Sequence, residues 1–423
     1  MGDVIRRRWW VLLTVAGLIL GMAAALLVDT GAPSAARRDP STSQPSAPTA
    51  TTPIESTSTQ PPVTVTTGGP PVGQVVDGPN APPELLIWST NGLSPALGPA
   101  LRSMPAVAAS TIVRGDDLRL TASWSPGGAV VDQTAPGWYL PLDAFAVDPA
   151  SYASVVSGGA AVAAALSAPG SAVLGQTSAG LRHAAVGSTL QIAGRKQLTV
   201  TAVVPDADIA AAELVVSYAT GEALGMTTER AALVRYTGNR VQFERAVAAA
   251  VPGGRATRFR SPGETTYLRH GDAVLPQSLV KQRFGEFAVH PIDGTQLEID
   301  PAWVASNIVV ATLPVLGRTQ CNRQIVPMVE GALQELADAG LTGLVDPSQF
   351  GGCYNPRLIG PGLGLSRHAW GIALDVNVAA NPLGASGRQD PRLVEIMRRW
   401  GLAWGGDWLR PDPMHFEYLT PPR

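Results

Sequence analysis

Hydrophobic and polar positions divide the chain into an apolar run, a polar linker and two regions of mixed pattern. From Trp9 to Val28 no charge interrupts the apolar residues, and Arg6, Arg7 and Arg8 stand just before them. Twenty helical residues span about 30 Å, the thickness of a bilayer's hydrocarbon core. Arginines on the N-terminal side predict residues 1–8 in the cytoplasm, a signal anchor over 9–28, and the rest of the chain outside. A cleaved signal peptide is the competing reading, because Ala32, Ser34 and Ala35 follow the run; its apolar region would be unusually long. Both readings export the bulk of the chain. Residues 29–83 are dominated by Pro, Ser, Thr and Gly. Such a segment cannot bury a core and is expected to stay disordered. As polyproline helix, about 50 residues would reach ~160 Å, enough to carry a domain from a membrane into a wall.

Two folded regions are expected beyond the linker, 84–252 and 253–423, the second with a core at about 321–418. In the first, Glu84–Ser89, Asp117–Trp124, Leu190–Val204 and Glu213–Ser217 read as strands, with a hairpin turn at Ala193-Gly194-Arg195-Lys196. Tyr152–Leu166 and Gln242–Ala250 read as helices. In the second, Pro276–Phe287 reads as a short helix and Ser306–Thr312 as β-like. Cys321–Ala339 carries apolar residues at helical spacing and meets a stop at Gly340. Asp390-Pro391 opens a further helix whose inner face is Leu393, Ile396, Met397 and Trp400, closed by Gly401. Gly371–Val378 alternates strictly, which places Asp375 off the apolar face of a strand. Met414–Tyr418 alternates again, with His415 and Glu417 on one side and Met414, Phe416 and Tyr418 on the other. The fold class is α+β in both regions.

Composition narrows the function. A net charge of -2 offers no footprint for nucleic acid. Two cysteines exclude a thiolate zinc cluster and a disulfide scaffold. Cys321 and Cys353 are the only cysteines, share one region and face an oxidising compartment, so they are expected to form a disulfide.

The chemistry lies near the C-terminus. His368, Asp375 and His415 are a suitable ligand set for a catalytic Zn²⁺, since three protein ligands leave a position for water. Asp412, three residues before His415, is placed to take a proton. Taken alone, either half reads equally as a hydrogen-bonded His–Asp pair.

The full strings say more. Ser366-Arg367-His368-Ala369-Trp370-Gly371-Ile372-Ala373-Leu374-Asp375, followed by Asp412-Pro413-Met414-His415-Phe416-Glu417, closely resembles the zinc D-alanyl-D-alanine carboxypeptidases and L-alanyl-D-glutamate endopeptidases, the VanY-like and hedgehog-type zinc peptidases. The pattern Ser-x-His-x-x-Gly-x-Ala-x-Asp, then an acidic residue three before a second His, is filled throughout. Asp at 412 resembles the endopeptidase branch, as do Gly351-Gly352-Cys353-Tyr354-Asn355-Pro356-Arg357 and Trp404-Gly405-Gly406-Asp407-Trp408. The resemblance implies a small antiparallel sheet, His368, Asp375 and His415 as zinc ligands, and Asp412 as general base. It also implies Arg357 beside the substrate and the developing oxyanion, where a guanidinium suits either charge. Ser366 either bonds substrate or caps its loop. Trp404 and Trp408 wall the cleft, and Asp407 reads as a turn residue. His183, His270 and His290 read as structural or surface residues. The implied activity is hydrolysis of peptidoglycan stem peptides outside the cytoplasm, by an endopeptidase or, alternatively, a D,D-carboxypeptidase. An inactive zinc-stabilised scaffold is the reading from another class, and an intact Asp412 argues against it. In the first region, Val173-Leu174-Gly175, Val186-Gly187 and Val203-Val204-Pro205 resemble the extracytoplasmic core domain of exporter-type permeases. The membrane helices of those permeases are missing, so this implies a fold and no function.

Overall fold

The computed structural model describes residues 83–422 apart from 195, 252–256 and 361–363. The expected anchor over 9–28 and the linker over 29–83, but for its last residue, lie outside the described residues. Among the described residues no helix is long and apolar enough to cross a membrane. The described chain lies within one compact unit and is a mixture of helices and strands.

A ten-stranded sheet dominates its first part. The strands are β1 (Glu84–Trp88), β2 (Val107–Trp124), β3 (Val130–Gln133), β4 (Leu140–Val147), β5 (Ser171–Gly175), β6 (Thr189–Ile192), β7 (Lys196–Val204), β8 (Leu214–Ser217), β9 (Glu229–Tyr236) and β10 (Arg258–Arg260). The order is β10-β1-β9-β2-β4-β8-β5-β7-β6, with β3 on β2. β2 is long enough to change neighbours. Its first half pairs with β9, its middle with β4, and Leu120–Trp124 with β6. That last pairing closes β2-β4-β8-β5-β7-β6 into a ring. Leu120, Leu142, Leu174, Leu190, Val200, Leu214 and Val216 are buried together in one cluster. Alternation along the strands produces that cluster, because period two sends every second residue inward. The expected helix Tyr152–Leu166 is two helices, Pro149–Val155 and Gly159–Ala165. The break falls at Gly158-Gly159, where a Cβ on Gly159 would stand 2.6 Å from the Tyr152 carbonyl oxygen.

The helix Gln277–Phe284 leads into the second part, ending at Gly285 with φ 87°. Two antiparallel hairpins follow, β11 (Val289–Asp293) with β12 (Gln296–Ile299), and β13 (Ile308–Leu313) with β14 (Gly317–Asn322). Cys321 and Asn322 thus end a strand, and the helix expected from Cys321 begins at Val326. Pairing across the hairpin, from Ile308↔Asn322 to Leu313↔Gly317, satisfies the backbone that the helical pattern would have claimed. A three-stranded antiparallel sheet completes the fold: β15 (Ala373–Asp375), β16 (Leu402–Trp404) and β17 (His415–Tyr418), in the order β15-β17-β16. The helices Val326–Asp338 and Pro391–Arg399 bury Leu333, Leu336, Leu393 and Met397 with Leu374 and Phe416 of this sheet.

Candidate metal centre

Each side chain of the site is set by a short backbone device. Ser366 caps the turn Arg367–Trp370, its Oγ accepting from the His368 N–H at 3.3 Å. Of the two roles open to Ser366, the structure displays this one. Gly371 then adopts φ 65°, and a Cβ there would meet the Asn322 nitrogen at 2.8 Å. Glycine is needed both for the left-handed turn and for the close approach. The chain reverses into β15 and lays Asp375 directly opposite His415 of β17. Cross-strand partners have Cβ atoms about 5 Å apart, so a carboxylate and an imidazole meet at once. Gly351–Asn355 wraps the other side: Gly351 N donates to Asp375 O at 2.9 Å and Asn355 N to His368 O at 2.9 Å. The Cys321–Cys353 disulfide ties that segment to the end of β14.

His368 Nε2, the Asp375 carboxylate and His415 Nδ1 converge. His368 Nε2 lies 3.2 Å from His415 Nδ1 and 3.2 Å from Asp375 Oδ2, and His415 Nδ1 lies 3.1 Å from Asp375 Oδ1. A tetrahedral ion with ligands about 2.0–2.1 Å away has edges of about 3.3–3.4 Å, so the three atoms fit a Zn²⁺-sized ion. Both imidazoles are held from behind. His368 Nδ1 is 2.8 Å from the Cys353 carbonyl oxygen, and His415 Nε2 is 3.1 Å from Glu417 Oε2. This is the outer support that metal-binding histidines need. Among the described residues these three are the group of acidic, His or Cys side chains that could hold a metal ion.

Charge follows the geometry. Burial pushes the Asp375 carboxyl up, but hydrogen bonds from His368 and His415 outweigh it and hold it well below the usual range. Burial lowers His415, and its bonds to the Asp375 and Glu417 carboxylates prevail and raise it; an ion bound at Nδ1 would displace the proton held there. Asp412 shifts up through burial. Its Oδ1 is buried and has no hydrogen-bond partner, an acceptor that a water or substrate proton would satisfy. Asp412 reaches this place because Gly405 lets the chain in; a Cβ there would stand 2.5 Å from the Asp412 carbonyl oxygen.

The remaining predicted residues divide. Arg357 is bridged to Gln296 and acts electrostatically on Asp412, so it borders the site. The Trp408 ring lies 5.0 Å from that of His415, with its Nε1 buried and unpartnered. Trp404 instead supports the loop, donating to Pro413 O at 2.8 Å. Asp407 pairs with Arg398 at the helix end. His290 packs near Trp138 and His270 near Phe145, away from the metal-binding group. The residues that sequence reasoning left without a role are Glu417, the Cys353 carbonyl and Arg367. The alternation of β17 already placed Glu417 beside His415; a backbone carbonyl leaves no such trace.

Asp375 and His415 on a small antiparallel sheet, His368 in the turn before it and the half-buried Asp412 alongside make a group that could hold one metal ion. The match to a family is specific to this part of the chain: residues 360–418 match the family described as D-alanyl-D-alanine carboxypeptidase. No curated protein matches the chain. Among solved structures it is similar to the extracellular domain of a noncanonical ABC-type transporter, YknZ, from Gram-positive bacteria. Identity there is 8% and the TM-score 0.29, over 42% of this chain and 100% of that one. A domain of a putative permease protein from Porphyromonas gingivalis is similar at 14% identity and TM-score 0.28, over 49% of this chain and 98% of that one. At such scores the likeness bears on no functional argument.

Proposed function

We propose that this chain is a zinc metallopeptidase that hydrolyses peptidoglycan stem peptides on the outer side of the cytoplasmic membrane. The observation that carries the reading is the triangle His368, Asp375 and His415 beside Asp412, whose Oδ1 has no hydrogen-bond partner. A zinc ion bound there would polarise the scissile carbonyl and lower the pKa of water. Asp412 takes the proton of the attacking water and passes it to the leaving amine. Arg357 holds a stem carboxylate or steadies the oxyanion, and Trp408 closes the wall beside His415. Cleavage proceeds without a covalent intermediate on the chain.

Within this reading we favour an endopeptidase cutting between L-alanine and D-glutamate, because Asp412 and the Trp404–Trp408 string resemble that branch. Removal of terminal D-alanine is the second reading, favoured by the family match over 360–418. Residues 9–28 anchor the protein in the membrane, 29–83 carry it into the wall, and 84–252 and 253–423 serve as two domains, with β10 of the second completing the sheet of the first. Incubating purified muropeptides with the chain from Glu84 onward tests this by mass spectrometry. Products severed after L-alanine are expected; release of D-alanine alone would select the carboxypeptidase, and unchanged muropeptides would sink both.

A further inference from the structure

We propose that Glu417 is a positioning residue of the metal centre: its carboxylate holds His415 as the tautomer protonated on Nε2, so that Nδ1 presents its lone pair to the ion. The inference rests on the metal site described above and goes beyond its three ligands.

The two nitrogens of His415 have different surroundings. Nδ1 faces the triangle, 3.2 Å from His368 Nε2 and 3.1 Å from Asp375 Oδ1. Nε2 faces away, 3.1 Å from Glu417 Oε2. An ionised carboxylate only accepts, so a bond between Glu417 and Nε2 requires the hydrogen on Nε2. Glu417 itself is immobilised. Its Oε1 accepts from the Val274 N–H at 2.7 Å, and the residue is 1% exposed. A backbone N–H cannot exchange roles, so the carboxylate cannot turn away without leaving this part-buried donor unpaired. The same segment is held from a second side, because Arg367 donates to Leu275 O. The segment carrying Val274 and Leu275 is thereby engaged by both residues. The sheet makes room as well: Glu417 lies opposite Ala373, a small partner on β15. His368 is held by a neutral acceptor, the Cys353 carbonyl oxygen at 2.8 Å. A carboxylate behind His415 increases the basicity of the imidazole, which a carbonyl does less well.

The near-isosteric Glu417→Gln separates this role from simple packing. Glutamine has one acceptor and one donor in place of two acceptors. If its oxygen stays on Val274, its NH₂ faces Nε2 and selects the tautomer protonated on Nδ1, which blocks the ligand atom. Zinc affinity of the full chain, measured by competition with a chromogenic chelator, is expected to fall about 10- to 100-fold. Thermal unfolding of the zinc-free proteins reports stability separately. A variant that loses stability yet binds zinc within twofold of wild type overturns the proposal. Should the variant not fold, ¹⁵N-histidine NMR of zinc-loaded wild type decides: Nε2 protonated and Nδ1 ligated is expected, and ligation through Nε2 overturns it. Wild-type protein that takes up no stoichiometric zinc would sink the metal-site reading and this one together. Stoichiometric zinc with an unaffected Gln variant would sink this one alone.

Discussion

Asp412 shows how much one side chain's surroundings decide. Three residues from His415, it is half-buried and raised by desolvation, and one of its oxygens has no partner. A buried unpaired acceptor costs about 1–3 kcal/mol, a cost that folding alone does not recover. Asp412→Asn is therefore expected to keep the fold and bound zinc while lowering turnover by about 10²–10⁴-fold. Metal analysis beside a rate measurement checks this; wild-type-like turnover in a metal-replete variant would remove Asp412 from the reaction. His368→Ala and His415→Ala are each expected to lose stoichiometric zinc, because each removes one corner of a triangle that has three. Inductively coupled plasma analysis of the dialysed variants reads this directly.

Among elements, the segment around Cys353 has the most to hold. It supplies the carbonyl behind His368, and its neighbour Gly352 bridges to Asp375. The Cys321–Cys353 disulfide, with a sequence separation of 32, anchors it to β14. In the chain-entropy view a loop of that length contributes about 3–4 kcal/mol. The double variant Cys321→Ser/Cys353→Ser should unfold at lower denaturant by that order. It should also bind zinc more weakly, since the carbonyl that fixes the His368 ring is freed; equal midpoints in urea would contradict the first part. The strands themselves were only partly legible. Strict alternation over Gly371–Val378 predicts eight residues of strand, yet β15 is Ala373–Asp375. Asn377 ends it at φ 55°, its side chain bonding the Asp346 N–H, Leu344 O and Gln389. Asparagine tolerates that conformation, and partners more than ten residues away hold it there.

Over the whole molecule, a buried charge network joins the ten-stranded sheet to the lead-in of the metal centre. Glu213, just before β8, accepts from Arg182 at 3.0 Å, Lys281 at 2.8 Å and Gln277 at 3.0 Å. Lys281 also pairs with Glu286 at 2.7 Å. Glu213 and Arg182 are fully buried, so removing one partner strands a charge. Glu213→Ala is expected to cost about 3–5 kcal/mol, read by chemical denaturation; a loss under 1 kcal/mol would show that water reaches the network. Beside it, Asp117 and Asp143 face one another across β2 and β4. Burial first, then the neighbouring carboxylates, raise Asp117 to about 7. Its folded pKa lies above the unfolded value near 3.8, so the native state binds the extra proton. Stability from this group thus falls as pH rises from about 4 to 7. Asp117→Asn should raise the melting temperature at pH 8 and change it little at pH 4.5. A pH-independent difference would contradict the assignment.

The three side chains that converge, His368, Asp375 and His415, were legible as a group because the requirements on them are local. A histidine before a glycine turn and an aspartate on an alternating strand are patterns within ten residues, and so is a second histidine three after an acid. The same holds for the α+β character and for most strands and helices, which follow from period and punctuation. Tertiary structure alone decided the rest. Which nitrogen of each histidine faces the triangle depends on Cys353 and Glu417, set by a disulfide and a sheet register. The closure of β2 onto β6 and the break at Gly158-Gly159 depend on neighbours far along the chain. So does the burial of Glu213 between Arg182 and Lys281. Local pattern states what a residue prefers; long-range contacts determine which of its atoms are used, because packing and buried polar groups must be satisfied together.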